Sequence, residues 1–99
     1  MTGECDELPA GLLLDAMIHE EVFGLDAVGD AVVPGYSTSI AEAWKVVEAM
    51  PDDVAVSVLR RGPTEYACEL WCLRSNNAIC LVSADTAQLA ICRAALVLF

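Results

Sequence analysis

Val54-Ala-Val-Ser-Val-Leu-Arg-Arg-Gly-Pro-Thr-Glu-Tyr-Ala-Cys-Glu-Leu-Trp-Cys-Leu-Arg-Ser-Asn-Asn-Ala-Ile-Cys-Leu-Val-Ser83 decides the fold of this chain. Val54 to Leu59 alternates and is rich in β-branched residues, which is the pattern of a strand. Arg60-Arg61-Gly62-Pro63 breaks it as a turn, Glu65 to Leu73 resumes an extended pattern, Ser75-Asn76-Asn77 turns again, and Ala78 to Ser83 is a third strand. Short consecutive strands joined by tight turns make an antiparallel meander, because parallel neighbours need a long crossover. Alternation places Cys68, Leu70 and Cys72 on one face and Ala67 and Trp71 on the other. Both faces hold apolar residues, so the pattern predicts helices on both.

Toward the N-terminus, Ser39 followed three residues later by Glu42 is a capping box, in which each side chain satisfies a backbone N–H that a new helix leaves unpaired. The helix it opens has Ile40, Ala43, Trp44 and Val47 as its apolar stripe and Glu42, Lys45 and Glu48 outside, and Pro51 stops it. Leu25 to Tyr36, with its glycines, proline and aspartates, suits a connecting loop. Before it, Leu12 to Phe23 places Leu14, Met17, Ile18 and Val22 at helical spacing, with Asp15, His19, Glu20 and Glu21 toward the other side, ending near Gly24. Residues 1–11, with their charges, Pro9 and two glycines, are expected to be a loose lead-in. Past the third strand, Asp85 or Thr86 caps a helix from about Ala87 to Leu98. That helix is apolar almost all round and is expected to be buried on more than one side. The reading is an α+β fold in the order ααβββα, a three-stranded antiparallel sheet with helices on both faces. Its 99 residues form one domain around one core.

Composition separates function classes. At 57% hydrophobic, the chain has the apolar surface that a disordered acidic tail lacks. Its net charge of −10 is unevenly spread. Met1 to Asp53 holds twelve acids (Glu4, Asp6, Glu7, Asp15, Glu20, Glu21, Asp26, Asp30, Glu42, Glu48, Asp52, Asp53) against Lys45, whereas Val54 to Phe99 holds three (Glu65, Glu69, Asp85) against four arginines. Such self-repulsion destabilises a fold and exceeds what solubility requires. It is either a generously solvated acidic face or a surface for a basic partner. Direct binding to nucleic acid or to an anionic membrane needs a basic footprint and is disfavoured. Five cysteines (Cys5, Cys68, Cys72, Cys80, Cys92) at irregular spacing, behind opening residues that are acidic where a secretory leader is basic, read as reduced, mostly core thiols of a cytoplasmic protein. The apolar stretch near the C-terminus is broken by Arg93 and is too short to span a bilayer.

The catalytic motifs are weak. His19-Glu20-Glu21-Val22-Phe23 begins like a zinc-protease helix, but Phe23 stands where the second histidine would share the metal. His19, the only histidine, reads as a helix-surface residue. Cys68 and Cys72 on a strand lie about 13 Å apart, too far to share one ion. The hydroxyls of Tyr36-Ser37-Thr38-Ser39 beside a helix N-terminus can hold an anion, but a turn and a cap are the plainer reading. Adjacent carboxylates such as Glu20-Glu21 and Asp52-Asp53 do not aim at one reacting atom. The expectation is no enzyme, no metal and no cofactor.

Pro34-Gly-Tyr-Ser-Thr-Ser-Ile-Ala-Glu-Ala-Trp-Lys-Val-Val-Glu-Ala-Met50 resembles the signature of the phage ABA-sandwich domain, in which a Tyr-Ser-Thr-Asp-Ile-Ala-Ala-Ala-Trp-like run opens a helix. Ala84-Asp-Thr-Ala-Gln-Leu-Ala-Ile-Cys-Arg-Ala-Ala-Leu96 is similar to the same family's closing helix, and Leu14-Asp-Ala-Met-Ile-His-Glu-Glu-Val-Phe-Gly24 extends the likeness over most of the chain. Ser39 departs from the family's Asp, but both cap helices. The resemblance implies a phage origin and helices sandwiching a sheet, and says little about chemistry. Joined to the charge asymmetry, it gives the expectation of a counter-defence protein of the host bacterial cytoplasm, an anti-CRISPR inhibitor. It would present Asp15, Glu20, Glu21, Asp26, Asp30, Glu42, Glu48, Asp52 and Asp53 as a duplex-like surface to a basic site of a host defence protein or CRISPR effector complex. A monomer is expected. The alternatives are a phage accessory or assembly module that binds through apolar contacts, with a homodimer through Leu89, Ala90, Leu96 and Phe99 favouring it, and a small enzyme or nucleotide binder using the Tyr36 to Ser39 loop.

Overall fold

The computed structural model describes residues 9–27 and 32–99; Asp30 and Cys5 lie outside them. The order is α1 (Leu12–Glu21), α2 (Ile40–Glu48), β1 (Val54–Gly62), β2 (Glu65–Cys72), β3 (Asn77–Ala84) and α3 (Ala87–Leu98), the ααβββα layout that the periodicities predict. The sheet is an antiparallel meander with β2 in the centre. Val56, Leu70 and Cys80 stand in one cross-strand row, and Val58, Cys68 and Val82 in the next. Irregularities at Arg60/Gly62 and Leu70/Trp71 mark β-bulges. Asn76, at φ 58°, takes the left-handed turn position that asparagine tolerates, and its Oδ1 accepts a hydrogen bond from Trp71 Nε1 at 3.3 Å.

Local chemistry sets the helix ends. Ser39 and Thr86 cap α2 and α3 by accepting from Glu42 N and Leu89 N, so of the two residues proposed for the last cap it is Thr86 that serves. Gly24, at φ 66°, turns the chain after α1 so that its N–H and that of Leu25 reach back to the carbonyls of Glu20 and His19. Helix α3 is the hub. It packs on all three strands and carries α2 and α1 on its other sides, which is why Ala90, Ile91, Cys92, Ala94 and Ala95 are wholly buried.

Two features differ from the sequence reading. In α2 the inward residues are Ala43, Val46, Val47 and Met50, and Ile40 and Trp44 are each 52% exposed. The positions 43, 46, 47 and 50 follow the i, i+3, i+4, i+7 rule as well as the expected stripe does. The bulkiest residue on the helix is therefore turned away from the core. Second, the helices gather on the Cys68, Leu70 and Val82 side of the sheet. Among the described residues none packs on the opposite face, where Leu59 and Leu81 are 48% and 54% exposed. One long apolar helix supplies enough surface for one face of a three-stranded sheet, and α1 and α2 are spent on its back.

Candidate functional site

The acids proposed as a partner surface separate into distinct groups. Glu20, Glu21, Asp26, Glu48 and Asp52 are exposed. Glu20 and Glu21 end α1 and Glu48 ends α2, with Asp26 and Asp52 in the segments that follow. Helix C-termini carry a partial negative charge of their own, so acids there add to the local potential and cost stability. Glu20, Glu21, Glu48 and Asp52 make no ion pair among the described residues. Glu42 is partly neutralised by Lys45 at 2.9 Å, one turn along α2, and Asp53 lies 4.0 Å from Arg74.

Asp15 does not belong to that surface. It is 4% exposed, and one of its oxygens accepts from both Ser37 N (2.8 Å) and Ser37 Oγ (2.7 Å). Ser37 Oγ in turn accepts from Gly11 N at 2.9 Å. The neighbouring turn of α1 repeats the arrangement. His19, 3% exposed rather than on the helix surface, lies with Nδ1 3.0 Å from the Tyr36 hydroxyl, and Phe23 stacks on the Tyr36 ring at 5.2 Å between centroids. The face of α1 expected to meet water is thus covered by the Tyr36-Ser37 segment, and its polar groups are satisfied there. Thr38 donates to Gly35 O, and a Cβ at Gly35 would meet Thr38 Oγ1 at 2.7 Å, so a larger residue there displaces that hydroxyl. The four hydroxyl residues therefore build a turn, a buried tie and a cap.

Two hollows flank the N-terminus of α3. One, of 360 Å³, lies between Pro9, Ser37, Thr38, Leu89 and Arg93; the other, of 420 Å³, between Ile40, Pro63 and Tyr66. Asp85, Thr86 and Gln88 line both. Gln88 Nε2 reaches Thr38 O at 3.5 Å and Arg93 reaches Ser83 O at 3.2 Å, so these long polar groups already serve as struts between segments.

A family model described as the phage ABA sandwich domain matches residues 14–96. The chain belongs to the phage ABA sandwich family. A phage protein from Bacillus cereus ATCC 14579, known from its crystal structure, is similar to it at 26% identity and a TM-score of 0.66, over 91% of this chain and 95% of that one. A comparison with curated proteins gives no match.

In this phage ABA sandwich protein, the segment that carries the resemblance is the segment that holds α1. Tyr36 and Ser37 are buried because they bind His19 and Asp15, and Ser39 starts α2. Sequence reasoning placed Asp15 and His19 outside because the partners that bury them are 22 and 17 residues away, beyond any helical period. Asp15 and Ser37 both line up with the resemblance, which is the signal that was available. The homodimer surface foreseen on the last helix is closed: Leu89, Ala90 and Leu96 are inside the core, leaving Phe99 alone partly exposed. The cysteines divide by environment. Burial, with Cys80 adding, pushes the Cys68 thiol up to about 12, and burial, with Asp15 and Cys68 adding, does the same for Cys92. Cys72, at the end of β2, is lowered by hydrogen bonds from the Ser75 side chain and backbone. Among the described residues no helix is long and apolar enough to cross a membrane.

Proposed function

We propose that this phage protein is a non-enzymatic inhibitor that captures a basic, nucleic-acid-binding surface of a host defence protein, with a CRISPR effector complex as the target. The observation that supports it is the set of exposed acids without ion pairs among the described residues at the ends of α1 and α2: Glu20, Glu21, Glu48 and Asp52. Placed against the helix dipoles, they cost stability, and a surface selected for folding alone would not hold them there. A rigid array of anions competes with the closely spaced phosphates of a duplex for arginine- and lysine-lined grooves, and long-range attraction speeds the encounter.

The test is the plaquing efficiency of a CRISPR-targeted phage on hosts with defined active systems, with and without this protein. Restored plaquing in one host, lost on combining Glu20→Gln, Glu21→Gln, Glu48→Gln and Asp52→Asn in a chain that still folds, is the expected result. Rescue unchanged by those substitutions would remove the acidic surface from the mechanism. Absence of rescue in every host would favour the second reading, an accessory or assembly module that meets its partners through apolar contacts, which draws on the open sheet face.

A further inference from the structure

Helix α2 offers two apolar stripes, and packing takes the one with the smaller side chains. The core closes on Ala43, Val46, Val47 and Met50, and Trp44, the largest residue of the helix, is left half exposed. Its indole makes no hydrogen bond or ring contact among the described residues, whereas that of Trp71 is tied to Asn76. Surfaces selected for folding and solubility keep exposed tryptophan to a minimum, while the centres of protein–protein interfaces are enriched in it.

The surroundings of Trp44 point to the chemistry of what it meets. Glu48 stands one turn along α2 on the same exposed side, which sets the two Cβ atoms about 5–6 Å apart. The Glu48 carboxylate has no cation among the described residues, whereas Glu42 is held by Lys45. Asp52, exposed and also without an ion pair, follows just past the helix end. An indole face beside an unpaired carboxylate matches one side chain above others. A guanidinium is flat, so it can lie on the ring within about 6 Å of its centroid while its N–H edge forms paired bonds to the carboxylate. A lysine ammonium is a strongly hydrated point charge that serves one of these contacts at a time. A purely apolar partner would bury Glu48 unpaired, and a nucleic acid would be repelled. At the other end of the stripe Ile40, also half exposed, borders the hollow that Pro63 and Tyr66 line, with room for an apolar residue beside the arginine.

We infer that the Trp44–Glu48 face of α2 is the docking point for an arginine of a basic protein partner, its guanidinium stacked on the indole and paired with the carboxylate. The inference rests on the reading of the acidic surface as a trap for a basic partner, and adds to it a choice of arginine over lysine. The other acids act at a distance and speed the encounter; this pair holds the complex once it has formed.

The experiment is a magnetic-resonance titration of the full chain, isotope-labelled in nitrogen, with capped hexa-arginine and hexa-lysine peptides at low salt. Wild type is compared with Trp44→Leu, with Glu48→Gln, and with Glu20→Gln plus Glu21→Gln. All of these positions are exposed, so the fold should be retained, and the amide spectra check this. Hexa-arginine should move the Trp44 indole signal, identified by its loss in Trp44→Leu, without moving that of Trp71, and should bind several-fold more tightly than hexa-lysine. Trp44→Leu should weaken hexa-arginine about two- to fivefold and abolish the preference for it. Glu48→Gln, which removes one charge, should cost more affinity than removing two at Glu20 and Glu21. A Trp44 signal that stays still, equal affinity of wild type for the two peptides, or an affinity that follows only the number of charges removed would each overturn the proposal. The last outcome leaves the acidic surface itself standing; that reading falls separately, by phage rescue that the four acid substitutions leave unchanged.

Discussion

A carboxylate buried to 4% exposure survives in a fold only where donors replace the water it has lost, and Asp15 finds two on Ser37. Asp15→Ala leaves the buried Ser37 amide and Ser37 hydroxyl without their acceptor, and should destabilise the protein by about 1.5–3 kcal/mol in urea titration. Asp15→Asn keeps an acceptor and should lose less. This residue also marks where the sequence stopped being legible. Ser39 and Glu42 could be read as a capping box because the partners are three residues apart, whereas Asp15 and Ser37 meet only once the whole segment between α1 and α2 has folded back. The thiols give a second test. Cys68 and Cys92 ionise near 12 in the folded chain and near the ordinary 9.0 once unfolded. Below pH 9 both states hold the protons, and the stability is intact. Above it the unfolded chain releases them first, so stability should fall steadily from about pH 9 toward 12. Cys92→Ala should shallow that slope in pH-dependent urea melts. Cys72, lowered by Ser75, should be the first described cysteine to react with iodoacetamide at neutral pH.

At the scale of elements, the helices and the second and third strands were readable to within a residue or two because each carries its own period and stop signal, whereas β1 runs three residues past Leu59, through the Arg60-Arg61-Gly62 stretch read as a turn, because Arg60 and Gly62 still pair with Tyr66 and Glu65. What the elements cover was not. Alternation in β2 shows apolar residues on both faces, yet nothing in it tells whether the second face meets a helix, another sheet or water. The same limit applies to α2, where two stripes compete and packing on α3 selects Ala43 and Val46 over Ile40 and Trp44. Trp44→Gln should therefore change thermal stability by less than about 0.5 kcal/mol, as at surface positions away from such features. Thr86→Ala removes the cap of the helix on which every other element rests, and should cost about 1 kcal/mol by the same measurement.

At the scale of the molecule, the asymmetry of charge was visible in composition and its placement was not. Eight of the nine acids proposed for the partner surface fall on described residues; five of these are exposed, two lie near cations and one is buried. Net self-repulsion predicts a melting temperature that rises as sodium chloride increases over the range in which the Debye length shortens from about 30 Å to about 8 Å. Glu20→Gln with Glu21→Gln should raise it at low salt, by a few tenths to about 1 kcal/mol per charge removed from the α1 C-terminus, and the gain should fade at high salt.

The position of α3 has a consequence in time as well as in space. A ribosome delivers the chain from the N-terminus at about 5–20 residues per second. The segment that reaches the strands and both earlier helices, residues 87–98, is delivered after all of them. Until then α1 and α2 have no shared surface to close on, and the meander is bare on both sides. Folding is therefore a single late event rather than a stepwise one. A nonsense codon between Ala84 and Ala87 yields a complete meander with no helix on either face, the kind of fragment that host proteases remove.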